Sequence, residues 1–466
     1  MKAFIFILFF SLPSLPIFSQ ILNPIIEERV ELMSIVFRLS EAEEYSQTNI
    51  PKYAKVIDSC FNSFKGDELI TLTKEIRKKN EVAYDAVMSM ALLIEIDSGN
   101  IILKNDVLIG SLDNRWGNYT EAFLILLNKF YKKTNFHKFY NDNALLYAKT
   151  KKRFSEIANK IDTAWFEHFY GEQTKGRFNI ILSLANGGGN YGPRIDYANG
   201  QHNFYCILGI EDTDSTGFPV FNVDYSIKII IHEFNHSFCN QLIENNYMQM
   251  EPSSTIFYKK IKNSMKSNAY GDPKIMQTEI LVRAATIMYF KEHKATEKEL
   301  NKMTGSEIRK GFFWIKPLLQ SLEHYDSSRA TYPTLSSYMP QIILLQNSLN
   351  PNELLKKFDC TGETEIIDFS IRNNSENVDP NITKLILKFS TPMNGAFGIS
   401  PGKGGEKYFP NNISFNWVNN DKTEIEITFD LMPDKKYTLK FPSSFIFDEN
   451  NCMLKQTYFL NFKTKK

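Results

Sequence analysis

Apolar residues recur at three- and four-residue spacing through residues 83–96, 119–131 and 144–164, the period of a helix that buries one face. Asn23 followed by Pro24, with Glu27 and Glu28 in the next turn, predicts a helix that starts at 24 under an Asn23 cap. Residues 24–175 therefore read as mostly helical. The period then changes. Residues 177–184 and 204–210 are short, apolar and rich in β-branched and aromatic side chains, and they predict strands. The glycines at 187–189 and 192 lie between them and call for backbone dihedrals that other residues resist. Helices return at 226–243 and from Pro273, capped by Asp272, to 291, and more fill 297–350. From about 365 the pattern alternates. Runs at 384–390, 413–417, 424–429, 437–441 and 458–462 are separated by turn residues such as Asn420 and Asp421, which predicts a small β-sandwich of about 100 residues.

Composition narrows the functional classes. The 466 residues suggest about three domains. Lys and Arg number 54 against 53 Asp and Glu, a net charge of +1, so the basic surplus of a dedicated nucleic-acid binder is missing. Lys2 is followed by an unbroken apolar run over 3–10, then by prolines and the small Ser19 before Gln20. That is the build of a secretory signal peptide, 1–19, removed near Ser19/Gln20, and the run is too short to span a bilayer. No later stretch reaches 18 consecutive apolar residues, so the mature chain is expected to carry no transmembrane segment and to be exported: periplasmic, on the cell surface or secreted. Five cysteines, Cys60, Cys206, Cys239, Cys360 and Cys452, form no CxxC pair. They read as small buried thiols rather than a disulfide scaffold, though an exported chain has room for one unassigned bridge.

The chemistry concentrates at 232–236, His-Glu-Phe-Asn-His. Residues four apart on a helix share a face, so His232 and His236 can bind one Zn²⁺ together. Glu233 is placed to take the proton of a water that zinc has made acidic, the general base of peptide hydrolysis. The surroundings 229–231, Phe234 and Phe238 are apolar, as for a helix lying in the core beneath an active site. Catalytic zinc needs a third protein ligand. The elongated HExxHxxGxxH pattern fails at Cys239 and Leu242. Glu244 lies too far along the same helix, and Glu251 is expected in a loop beside Pro252. Glu279, on the separate helix capped by Asp272, is the third ligand this reading selects. Arg283 shares its face and can pair with it. The candidates for stabilising an oxyanion are Tyr191 in the Gly-rich turn and Tyr270 in the loop entering the Glu279 helix, with Tyr289 a further tyrosine of that helix. His293 is too far along the helix to share the metal.

The segment 232–283 resembles the gluzincin zinc metallopeptidases, the HExxH-plus-glutamate class. The resemblance implies His232, His236 and Glu279 as ligands and Glu233 as base. It departs at position 283, where Arg stands in place of the acid usual in that class. More closely, residues of about 24–350 resemble an exported bacterial family catalogued as domain of unknown function 4932. The likeness rests on the start at 31–39, on Asn190, Tyr191 and Gly192, and on the core 231–238. The tail resembles bacterial Ig-like domains through Phe389-Ser-Thr-Pro-Met393. The expected architecture is α+β: a helical part, 20–175; a zincin-like catalytic core with a small sheet, 176–360; and an Ig-like β-sandwich, 365–466. The expected function is a secreted zinc-dependent peptidase acting on a protein or peptide, such as a cell-surface or cell-wall peptide. The alternative is a non-catalytic exported surface- or glycan-binding protein in which the metal is structural or vestigial.

Overall fold

The computed structural model describes residues 19–108, 112–172, 176–268, 270–358, 364–449 and 452–466. The expected signal segment, apart from Ser19, and Cys360 lie outside the described residues. The chain is α+β: many helices with several small sheets. It divides into two compact units. The first takes Met1–Tyr258, Ala269–Leu300 and Pro317–Asn347; the second takes Lys259–Asn268, Asn301–Lys316 and Ser348–Lys466.

The first unit opens with α1 (Glu28–Leu39), α2 (Pro51–Phe61), α3 (Glu68–Asn80) and α4 (Asp85–Leu93). The helix expected from Pro24 begins four residues later. Ile25 is instead an extra bridge beside a later strand: its N–H donates to the Ile180 carbonyl at 2.9 Å, and its carbonyl accepts from Leu182 N at 2.8 Å. These bonds are non-local, so the local Asn-Pro signal did not reveal them. The helical run expected to Ile96 stops at Leu93. Residues 94–103 form a hairpin, β1 (Ile94–Asp97) and β2 (Asn100–Leu103), turned by Ser98 and Gly99 at φ 49° and 76°. Helices α5 (Thr120–Lys133), α6 (Phe136–Asp142), α7 (Ala144–Ala158) and α8 (Ala164–Tyr170) follow.

The small sheet of this unit holds β3 (Arg177–Leu182), β4 (Asn190–Tyr191), β5 (Arg194–Asp196) and β6 (His202–Leu208). β3 and β6 pair in parallel, and β4 and β5 return antiparallel to β6. The turn between the two expected strands is therefore a crossover that carries two short strands of its own. Gln20 ties into this sheet, donating from its side chain to the Phe178 carbonyl and accepting from Phe178 N. A short pair, β7 (Asp212–Thr213) and β8 (Pro219–Val220), leads to α9 (Val223–Ser267). This helix was expected to end near Ile243. It runs on through Pro252, so Glu251 is an exposed helical residue and not part of a loop. A proline removes one N–H and strains the preceding turn, but a long helix packed elsewhere tolerates it. Then comes α10 (Pro273–Glu292), where the Asp272 side chain accepts from Lys274 N at 2.8 Å and Ile275 N at 3.0 Å, as its capping position requires. The remaining helices are α11 (Glu297–Arg309), α12 (Ile315–Ser327), α13 (Leu335–Ser348) and α14 (Pro351–Phe358).

The second unit ends in two four-stranded sheets among the described residues. One orders β13 (Asn411–Trp417), β14 (Glu424–Asp430), β11 (Lys384–Phe389) and β9 (Ile366–Phe369). The other orders β10 (Ser375–Val378), β16 (Tyr458–Thr464), β15 (Lys436–Phe441) and β12 (Ser400–Pro401). Leu385, Leu387, Ile425 and Ile427 of the first sheet and Leu439, Phe441, Leu460 and Phe462 of the second share one buried core. In β11, β14 and β15 the alternation that predicted the strand is the alternation of its burial. The cysteines divide three ways. Cys206 and Cys239 are buried free thiols as expected, Cys60 is free but exposed, and Cys452 is disulfide-bonded rather than a thiol.

Candidate metal centre

α9 is amphipathic about its motif. Ile230, Ile231 and Phe234 are fully buried, and Phe234 meets the Phe178 ring of β3 edge-on at 5.0 Å. That anchoring turns the other face, with His232 and His236, outward from the core. The two imidazoles keep 15% and 17% of their side-chain surface exposed, enough for a ligand to reach them from solvent.

α10 brings Glu279 to the same spot. The His232 and His236 Nε2 atoms lie 3.2 Å apart. The Glu279 carboxylate is 3.4 Å from His236 Nε2 through Oε1 and 3.7 Å from His232 Nε2 through Oε2. One ligand atom from each of the three residues falls within 4.8 Å of the others. Zinc bonds of about 2.0–2.2 Å in tetrahedral array separate ligand atoms by roughly 3.3 Å, so these spacings suit a single ion of that size. The His236 ring is oriented from behind. Its Nδ1 lies 3.0 Å from Asn240 Oδ1, which leaves Nε2 facing the cluster.

The charges around the cluster reinforce one another. Burial works to raise the Glu279 carboxyl, but His236, Arg283 and His232 together hold it well below the usual carboxylate range. Burial works to lower His236, and the Glu279 carboxylate overrides it, raising the imidazole to about 9. Glu233 is buried, and that burial with the nearby Glu279 charge pushes its carboxyl up to about 7 against the pull of His236 and Arg283.

Arg283 Nη2 donates to Glu279 Oε2 at 3.0 Å and to the Tyr270 hydroxyl at 2.5 Å. The Arg283–Glu279 pairing is the one the i,i+4 spacing allowed, and the side chain that departs from the gluzincin pattern thus bonds to Glu279 itself. Tyr270 joins the cluster through this guanidinium. Tyr191 is differently placed. Its pKa is raised chiefly by burial, its ring folds over Gly189, and its buried hydroxyl makes no hydrogen bond among the described residues. Tyr289 Oη accepts from the Asp162 backbone N–H at 2.9 Å, and His293 lies 3.3 Å from Asp162 Oδ2. Glu244 pairs with Lys274 and Glu251 is exposed, so neither joins the three ligand atoms.

The sequence reading did not single out Asn240, Asn235, Tyr170 or Thr286, all of which touch the motif helix or its partners. Asn240 stands four residues after His236, a spacing that could have pointed to it. Thr286 and Tyr170 reach the motif only through the tertiary fold.

Residues 22–345 match the family described as Domain of unknown function (DUF4932), and the chain belongs to that family. No curated protein matches. Among solved structures, this chain is similar at 12% identity to the surface layer protein SbsC, domains 1–6, over 51% of this chain and 33% of that one, with a TM-score of 0.16. It is similar at 10% identity to the S-layer protein rSbsC(31-844), over 85% of this chain and 45% of that one, also with a TM-score of 0.16. The chain thus spans less than half the length of either. Among the described residues no helix is long and apolar enough to cross a membrane.

Proposed function

We propose that this protein is an exported zinc-dependent peptidase with a zincin-like core, and that His232, His236 and Glu279 hold the metal. The observation that carries the reading is the convergence of these three ligand atoms within 4.8 Å, on two helices, beside the buried Glu233. Two imidazole nitrogens and one carboxylate oxygen are the donor set of a catalytic zinc with an open position. Zinc, when bound, polarises a carbonyl and acidifies water. Glu233, buried beside the three ligands, is placed to accept a proton from the attacking water and pass it to the leaving amine. Tyr270 is the better-supported stabiliser of developing negative charge, since its hydroxyl is tied to the ligand carboxylate through Arg283. Gly192, which follows β4, rests on the Glu233 backbone, so the edge of β4 lies beside the motif helix and is where an extended peptide would pair.

The two sheets around one core suit an Ig-like reading of the C-terminal part, and the Cys452 disulfide suits an oxidising, exported location. The test is a cleavage screen of proteome-derived peptides by the zinc-loaded protein and by Glu233→Gln. Turnover by the parent that Glu233→Gln abolishes supports the peptidase. A zinc-loaded parent that cleaves nothing in such a screen removes it.

A further inference from the structure

We propose that Asn235 and Thr286 are positioning residues of the metal triad, which set the crossing of α9 and α10 so that His232, His236 and Glu279 converge. The inference rests on the metal reading above and adds residues that the motif does not require.

Asn235 occupies one of the two free positions of the motif, yet its amide is fully buried. A buried amide is costly unless its polar atoms are paired. Here they are. The Tyr170 hydroxyl, from α8, donates to Asn235 Oδ1 at 2.7 Å. Asn235 Nδ2 reaches Thr286 Oγ1, on α10, at 3.4 Å. Thr286 Oγ1 spends its own proton on the Val282 carbonyl at 2.8 Å, so it can only accept from Asn235. This fixes which end of the amide faces which helix. The Tyr170 oxygen also lies 3.2 Å from Cys239 Sγ, so the thiol can donate to the phenol. Tyr170, Asn235, Cys239 and Thr286 are all buried, and the bonds run in one direction from α8 through α9 to α10.

The position of this link matters. On α9, Asn235 adjoins His236. On α10, Thr286 lies two turns beyond Glu279, about 10 Å along the axis and on the same face. The two contacts, the ligand cluster and the amide, thus lie about 10 Å apart along α10, and on α9 they fall on adjacent residues whose side chains leave the helix about 100° apart. One point leaves the crossing angle free to swing; two fix it. A metal site needs its ligands held to within about 0.5 Å, and a swing about a single point would exceed that at Glu279.

The test uses the full chain with three substitutions. Thr286→Val removes the hydroxyl and keeps the shape, Thr286→Ser keeps the hydroxyl, and Asn235→Leu removes the amide. Zinc Kd is measured by competition with a chromophoric chelator. The visible absorption of the cobalt(II)-loaded protein reports ligand geometry, and melting without metal reports the fold alone. Thr286→Val and Asn235→Leu are expected to weaken zinc roughly ten- to hundredfold and to change the cobalt bands, while Thr286→Ser behaves as the parent. If Asn235→Leu fails to fold, Thr286→Val still reads the effect. Both variants binding zinc like the parent, with its cobalt spectrum, would overturn the inference, even if their melting temperatures fall. A parent that itself takes up no metal overturns the metal reading and this inference with it, and that failure is told apart by appearing before any substitution.

Discussion

The backbones of Gly192 and Glu233 are in contact: a Cβ on Gly192 would lie 1.9 Å from the Glu233 carbonyl oxygen. The residue following β4 therefore rests on the motif helix at the residue assigned as base, and Ser237 Oγ adds a bond to the Gly192 carbonyl at 3.3 Å. Only glycine permits this approach. Gly192→Ala must push strand and helix apart. It should cost about 1–3 kcal/mol of stability, the usual range for overpacking, and lower zinc affinity as well. Thermal melting and chelator competition check both effects. Parent-like values for both would mean that the strand does not seat the helix.

Glu279→Ala should reduce zinc affinity far more than Glu251→Ala or Glu244→Ala. Glu279 is within 3.7 Å of both imidazoles, whereas Glu251 is exposed and Glu244 is paired with Lys274. Removing one of three ligands leaves an incomplete donor set. Equal zinc loss in the Glu251 variant would reassign the ligand.

Glu31 gives the fold a pH dependence separate from the metal. Its carboxylate, fully buried in α1, accepts from Tyr53 Oη at 2.7 Å, Ser183 Oγ at 2.9 Å and Leu184 N at 2.7 Å, which clamps the end of β3. Burial raises its pKa above the ordinary value of 4.5, although these donors oppose the shift. A carboxyl with a raised folded-state pKa contributes stability that is complete below its unfolded pKa and fades as pH rises through the folded value. Glu31→Gln keeps an acceptor and removes the titration. Denaturant unfolding from pH 4.5 upward should show the variant gaining on the parent as pH increases. Parallel curves would contradict the charge assignment.

A chain ended near residue 360 should keep the triad, since His232, His236 and Glu279 all lie in the first unit. It should melt at a lower temperature than the full chain. The second unit draws in residues 259–268 and 301–316, and within it the Arg309 guanidinium stacks over Phe447 at 4.8 Å. Truncation leaves those helical segments without that partner. Zinc content and melting of residues 20–360 measure the two claims. An unchanged melting temperature would show that these segments are stable alone.

Much of the site was legible because it is local. The four-residue spacing of His232 and His236, the Asp272-Pro273 cap and the position of Glu279 on a separate helix are all carried by neighbouring residues. The five longer strands of the last hundred residues, β11, β13, β14, β15 and β16, were legible too, whereas β9, β10 and β12 are too short to show an alternation. What the sequence did not reveal depends on distant partners. Ile25 reads as a helix start until Ile180 and Leu182 claim its backbone. The hairpin at 94–103 continues an apolar helical pattern, and its register becomes visible only at the Ser98-Gly99 turn. Pro252 reads as a helix breaker, yet α9 passes through it. Asn235 reads only as an uncharged residue of a core helix until Tyr170 and Thr286 enclose it.

The central claim is that His232, His236 and Glu279 hold zinc, and metal analysis of the purified full chain tests it most directly. After zinc is supplied and excess removed by dialysis, the protein should retain about one zinc per chain, and His236→Ala should retain almost none. A parent chain that comes through the same dialysis with no bound zinc would contradict the account.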